Sequence, residues 1–323
     1  MHIIPQKRIY IWIGVTIVAV SVALVAFFGL RLGIDFTGGS LMEVRYTTVP
    51  DRTTIEAAIT PLGLDGFSLR QSSTDEGSGY LVSTRDLTEQ ERAGLAEALT
   101  ALGEGGEVSR FTSVGPVIGA ELADKAVWAI GAVLLLIIFY VAFAFAGIGY
   151  PVSSWMYGFI AIGVLAHDIV VPLAAMSLLG FFMGAEVDIL FVTALLTILG
   201  FSVNDTIVIF DRVREKLKEN RTEHRKKVAV VGAMPREEVT YTLNRSFGEL
   251  VNEAITETLA RSINTSLTVL LALGALYFFG GEVTQVFVLI LGVGVLAGAY
   301  SSIFIASPLL VAYEQWQAKK VTK

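Results

Sequence analysis

The chain is 323 residues long, with 54% apolar and only 17% charged residues, against roughly 45–50% and about 25% in typical soluble domains. That balance excludes an ordinary soluble enzyme, a disordered chain and a collagen. A net charge of −6 supplies no basic surface for nucleic acid, and the absence of cysteine removes disulfides, thiolate metal ligands and a cysteine nucleophile. The apolar excess lies in uncharged runs at residues 9–30, 126–150, 189–204 and 283–313. A bilayer-crossing helix needs about 20 such residues, whereas an outer-membrane barrel strand would alternate.

In chain order, Lys7 and Arg8 precede the first run. That run is too long for a signal-peptide core and has no small-x-small cleavage site before Arg31, so it reads as an anchor. Residues 31–125 read as a separate α+β domain. Within it, residues 41–47 alternate as a strand, and Thr53 with Glu56 predicts a capping box opening a short helix. Residues 67–71 and 80–84 read as strands around a polar turn at 72–79. Thr88 with Glu91 predicts a second capping box, opening an amphipathic helix to about Leu102, and 107–112 is a last strand. The order βαββαβ is that of a ferredoxin-like split βαβ unit. It holds no histidine, metal-ligand cluster or nucleophile motif, which points to a binding or docking module. Gly38 and Gly39, between the first span and the first strand, signal a tight turn.

Six transmembrane helices are predicted, at 9–30, 126–146, 152–182, 188–211, 258–280 and 283–313. They divide the chain into an N-terminal span (1–30), the extracytoplasmic domain (31–125), three spans (126–211), a basic loop (212–257), two spans (258–313) and a tail (314–323). Ten Lys and Arg lie from Arg212 to Arg245, two precede the first span and three follow the last, while the loops near 183–187 and 280–283 carry none. The positive-inside rule therefore puts both termini and the basic loop in the cytoplasm. The eight basic residues of 31–125 are no objection, because long translocated domains are exempt. The 147–152 loop, cytoplasmic in this topology, has no basic residue.

Away from the span ends three formal charges fall inside the spans, Asp168, Asp205 and Arg261, with His167 beside the first. Each costs about 2.5–3.5 kcal/mol to insert, so each is a functional candidate, set against the plain alternative that they only hold helices together. At about 1.5 Å of rise per residue, Asp205 lies roughly 10 Å and Arg261 roughly 6 Å from the cytoplasmic side, where they can meet; Asp168 lies roughly 25 Å in, in another layer. On the fifth span Glu257, Arg261, Asn264, Thr265 and Thr268 form a polar stripe. On the fourth, Thr193, Thr197, Gly200 and Asn204 form a second, with Asp205 on its flank. Two facing stripes make a hydrophilic seam for protons or ions. Gly294, Gly298, Ser302 and Ala306 recur every four residues as a close helix-packing face.

Several strings then resemble the SecD/SecF family. Residues 33–46, GIDFTGGSLMEVRY, resemble the signature after its first span, with Gly33, Asp35, Phe36, Gly38 and Gly39 as motif positions. SVGPVIGAEL at 113–122 is similar to the start of its second span, and LAHDIVVPLA at 165–174 to its third. GFSVNDTIVIFDRVREKLKEN at 200–220 and ETLARSINTSLTVLL at 257–271 look like its fourth and fifth. Six spans with one small outside domain resemble the shorter branch, which partners SecD. Two departures stand out: residues 221–245 are longer than the family's short loop, and 147–152 lacks the arginines the family places there.

The resemblance implies an accessory subunit of the Sec export machinery in the bacterial cytoplasmic membrane, with a fold similar to the resistance-nodulation-division transporters. It implies SecD, the SecYEG channel with SecA, YajC and the unfolded preprotein as partners, protons as the coupling ion, and neither cofactor nor metal. It further implies that Asp205 is the proton-relay aspartate and Arg261 its partner, with His167 and Asp168 as a secondary pair. Two other readings were weighed on the residues. Half of a small-molecule efflux pump would need larger outside domains than 31–125. An intramembrane aspartyl protease using Asp168 and Asp205 would need carboxylates close enough to share a proton, and the depths separate them by roughly 15 Å. No P-loop is present, so ATP is not this chain's direct energy source.

Overall fold

From α1 (Lys7–Phe28) the chain passes through one helical turn, α2 (Ile34–Thr37), into a four-stranded antiparallel sheet. The structure, a computed structural model, describes residues 3–64, 66–74, 77–145, 150–228 and 236–321. The sheet consists of β1 (Gly39–Tyr46), β2 (Ser68–Thr74), β3 (Gly77–Thr84) and β4 (Glu107–Val114), in the order β2-β3-β1-β4. α3 (Arg52–Ile59) joins β1 to β2 and α4 (Glu89–Thr100) joins β3 to β4, the predicted βαββαβ arrangement. Because successive strand residues point to opposite faces, Met42, Val44, Tyr46, Leu69, Tyr80 and Val82 share one face and bury Ile55, Ile59, Leu95 and Leu99 of the two helices. Each of those aliphatic side chains contributes about 1.5–3 kcal/mol on full burial.

The Thr88–Glu91 capping box forms as predicted. The Thr53–Glu56 box does not. Asp51 is extended and takes the N-cap position, so Thr53 is already inside the helix, and Glu56 pairs with Arg52 at 2.7 Å.

After β4 come α5 (Pro116–Ala144), α6 (Ser154–Met183) and α7 (Ile189–Asn220). A hairpin of β5 (Arg221–Val228) and β6 (Arg236–Leu243) leads into α8 (Phe247–Phe279) and α9 (Glu282–Ser301). A π-helical turn at Ser302–Ala306 continues α9 into α10 (Ser307–Val321). Among the described residues six helices are long and apolar enough to cross a bilayer.

The predicted loop 212–257 is largely helix and hairpin instead. α7 and α8 have 32 and 33 residues, a rise of about 50 Å against roughly 30 Å of hydrocarbon. The surplus turns zip together through charges: Lys216 bridges Glu253 (2.7 Å) and Glu257 (2.9 Å), Arg212 pairs with Glu257, and Arg245 with Glu253 (2.6 Å). Hydropathy reads such charged turns as loop, although their helical spacing continues.

Within the bundle, Tyr157 on α6 packs level with Phe210 on α7, ring centroids 5.1 Å apart, in a core that includes Phe145, Val213 and Ile255. The small-residue ladder of the last span forms a close packing face as predicted, and the helix it packs on is α7. Gly294 faces Ile198, Gly298 faces Ser202, and the hydroxyls of Ser302 and Thr206 meet at 2.9 Å. A methyl group at Gly294 would lie 2.2 Å from Ile198, so the approach requires glycine. α8 leaves Ile263, Leu267, Leu271, Phe278 and Phe279 exposed.

Candidate functional site

The deepest polar cluster is built around Asp168 on α6, which is fully buried. One carboxylate oxygen lies 2.9 Å from His167 Nδ1. The other accepts the hydroxyls of Ser202 on α7 and Ser301 on α9, the latter at 2.9 Å. These contacts tie α6, α7 and α9 together at one carboxyl group. His167 Nε2 is buried without a partner. The cluster adjoins the π-helical turn, where Ser302 also donates to the Ser202 carbonyl at 3.4 Å.

Asp205 is also buried, but has neither a hydrogen-bond nor an ion-pair partner among the described residues. It lines a cavity of about 20 Å³ with Ser202, Asn204, Thr265, Ser266 and Gly298. Arg261 lines a different cavity, of about 470 Å³, with Val208, Asp211, Arg212, Glu215 and Glu257. The structure therefore does not bring Asp205 and Arg261 into contact. The antiparallel register explains the difference: with Arg212 opposite Glu257 and Lys216 opposite Glu253, residue 205 falls opposite Asn264, about one turn from Arg261.

The depth separation of Asp168 from Asp205 is also corrected. Pro151 and Arg212 are not level marks; Tyr157 and Phe210 are. Measured from those, the carboxylates differ by about 9 Å of rise rather than 15, and Ser202, on the turn next to Asp205, touches Asp168. No hydrogen bond joins the two carboxylates directly.

The polar stripes meet only near Asn204, Asp205 and Thr265. Elsewhere Thr193, Asn264 and Thr268 face outward from the chain. The hydroxyls of Thr193, Thr197, Thr265 and Thr268 each bond the carbonyl four residues back, which satisfies them within their own helices. Glu257, counted in the α8 stripe, belongs to the charged zipper.

The glycine motif forms the joint between sheet and bundle. Gly38 and Gly39 have φ of +74° and +144°, and added Cβ atoms would lie 2.5 Å from Pro116 and 2.4 Å from the Thr84 carbonyl. Only glycine allows β1 to start so close to the head of α5. Gly33 N–H donates to Val187 O at 2.8 Å, and Asp35 accepts from Ile189 N–H at 3.0 Å. Phe36 is buried with Met176, Phe191 and Ile198. The α6–α7 loop is held as well, since Glu186 accepts the hydroxyls of Ser68 (2.7 Å) and Ser83 (3.4 Å). Sequence reasoning missed Ser202, Ser301 and Glu186. For the two serines the one signal is polarity inside apolar runs, and for Glu186 a lone acid in a short loop; neither says which elements meet.

Among the described residues no His, Asp and Glu grouping suits a metal ion. A six-helix bundle with ionisable groups at mid-depth and a small βαββαβ domain locked to its helix ends defines a polytopic membrane protein of the transporter type. A family model for the C-terminal region of SecD/SecF protein export membrane proteins matches residues 95–235 and 229–316, and one for the SecD/SecF GG motif matches 23–48. The chain is 36% identical to the protein translocase subunit SecF of Thermobaculum terrenum, covering 97% of this chain and 94% of that one. It is 36% identical to that of Anaerolinea thermophila, covering 98% and 96%. Among solved structures it is similar to SecDF, a translocon-associated membrane protein from Thermus thermophilus, with a TM-score of 0.79 and 32% identity. That match covers 98% of this chain but only 39% of the SecDF chain. The chain belongs to the SecD/SecF family.

Proposed function

We propose that this chain is an accessory subunit of Sec protein export that, with SecD, uses the proton motive force to promote preprotein translocation across the bacterial cytoplasmic membrane. The observation that carries this reading is Asp205: a buried carboxylate with no counter-charge, on the seam where the stripes of α7 and α8 meet. A structural ion pair would have a partner; a proton carrier needs to be neutral in one state and charged in another. The outward-facing polar residues of α8 support a protein neighbour over lipid there, and the SecDF match supports SecD as that neighbour. SecYEG with SecA, YajC and the emerging preprotein complete the proposed partners. Both termini and the β5–β6 hairpin are assigned to the cytoplasm and the sheet domain to the far side. Protons are the coupling ion, with no cofactor.

Protonated, Asp205 is neutral and leaves Arg261 a turn away; ionised, it draws the guanidinium toward it. That change biases the α7–α8 packing. The joint at Gly38, Gly39 and Glu186 would carry the repacking to the sheet domain. Asp205→Asn fixes the neutral form at nearly the same volume. It is expected to assemble with SecD and to lose gradient stimulation of preprotein translocation in inverted vesicles, while ATP-driven early translocation persists. Full gradient stimulation in Asp205→Asn would sink the reading; loss of assembly would point to a structural role.

A further inference from the structure

We propose that Asp168 is a second proton-holding carboxylate, joined to Asp205 by the Ser202 hydroxyl and a cavity sized for one water. This rests on the proton-coupled reading above. Ser202 is the shared wall of the two sites. Its hydroxyl donates to Asp168 Oδ2, and the residue also lines the Asp205 cavity. The cavity holds about 20 Å³, above the roughly 10–15 Å³ that one water requires. Gly298 keeps that wall in place, because a Cβ there would lie 3.0 Å from Ser202 Cβ.

No lysine or arginine among the described residues pairs with Asp168. Its neighbours are the neutral hydroxyls of Ser202 and Ser301 and the ring of His167. The ionisable groups brought to this level by packed helices are Asp205 on α7, Tyr300 on α9, whose ring lies 6.3 Å from that of His167, and Tyr10 on α1, whose carbonyl accepts from Tyr300 at 3.5 Å. The charged residues of α5 (Glu121, Asp124, Lys125) and α10 (Glu314, Lys319, Lys320) lie toward the helix ends, and Arg261 of α8 opens on the other cavity. A buried carboxyl group without a fixed lysine or arginine partner is a place where a proton can be held. His167 Nδ1 engages Oδ1, which leaves Oδ2 for the transfer.

In the transfer, Asp205 gives its proton to the cavity water, and the water passes one of its protons to Ser202 Oγ. Ser202 releases its original proton to Asp168 Oδ2 along the existing hydrogen bond. At each relay oxygen one O–H bond forms as another breaks, so no electrons leave or enter. The result is ionised Asp205 and neutral Asp168, and rotation of the Ser202 hydroxyl resets the path.

The test uses the complex with its SecD partner in membranes. Infrared difference spectra on acidification are expected to show two protonated-carboxyl bands from this chain, one lost in Asp205→Asn and the other in Asp168→Asn. Ser202→Ala, which leaves both carboxylates in place, is expected to keep both bands and to slow gradient-driven translocation by about 100-fold, the lower end of what a positioned proton-transfer group contributes. A carboxyl band that Asp168→Asn leaves untouched, or a Ser202→Ala complex translocating at full rate, would overturn the proposal. Should Asp168→Asn fail to co-purify with SecD, the Ser202→Ala rate decides. Full gradient stimulation in Asp205→Asn would be the separate failure of the proton-coupled reading.

Discussion

Arg261 carries a guanidinium on the polar stripe of α8, with no ion pair among the described residues. A charge kept at that depth needs an anion in some state of the assembly. Besides Asp211, Glu215 and Glu257 on its own cavity wall, two more are open to it in the proposed assembly: Asp205, one turn along the register, and a carboxylate of SecD against the exposed face of α8. Either way the planar five-donor fork matters as well as the charge. Arg261→Lys is therefore expected to support weakened gradient-driven export, and Arg261→Ala to support none, in the same vesicle assay. Normal export by Arg261→Ala would remove Arg261 from the mechanism. Asp168, Asp205 and Arg261 were legible in the sequence because a charge within an apolar run is conspicuous. Their partners were not. The hydroxyls on Asp168 come from residues 34 and 133 positions away, and serine is too common in such helices to single out. The Asp205–Arg261 pairing was misplaced for a related reason: depth counted from loop ends ignores the register, which the charged zipper sets.

At the scale of single elements, the sequence reading succeeded where local chemistry decides and failed where context does. The helix α4 was legible from Thr88 and Glu91, whose reciprocal hydrogen bonds satisfy amides at its first turn. The β5–β6 hairpin was not: RTEHRKKV shows no alternating apolar residues, and the short alternation VTYTL in REEVTYTL lies inside the basic stretch read as a loop. The cap makes a measurable prediction. Thr88→Ala is expected to destabilise α4 by about 1 kcal/mol, seen as faster hydrogen exchange at its first-turn amides. The same turn should respond to acid. The Arg85 guanidinium, with help from the Thr88 amide and hydroxyl, holds the Glu91 carboxyl down at about 2, against 4.5 for a free one. A depressed carboxylate contributes its stabilisation above the unfolded-state value and loses it as pH falls toward the folded-state value. Protection of these amides, corrected for intrinsic exchange, should therefore decline between pH 4.5 and about 2, and Glu91→Gln should remove that dependence. Unchanged protection across the window would mean that the cap contributes nothing.

For the whole molecule, the sheet domain and the β5–β6 hairpin lie at opposite ends of the bundle, because α7 runs unbroken from the loop that touches Ser68 to the start of β5. Whichever side one occupies, the other must lie across the membrane. The charge distribution chooses between the two orientations: ten Lys and Arg cluster from Arg212 to Arg245, while the short 183–187 loop beside the sheet has none. The native chain contains no cysteine, so single reporters are unambiguous. Ala93 is exposed on α4 and Thr222 is exposed on β5. Ala93→Cys is expected to react with a membrane-impermeant maleimide added to intact spheroplasts, and Thr222→Cys to react only after the membrane is opened. The reverse pattern would invert the molecule and place the sheet domain in the cytoplasm. Labelling of both from outside would break the six-span count itself, since two sites separated by an odd number of crossings cannot share a side. Residues 93 and 222 are separated by α5, α6 and α7, three crossings, so the paired result tests the count and the orientation together.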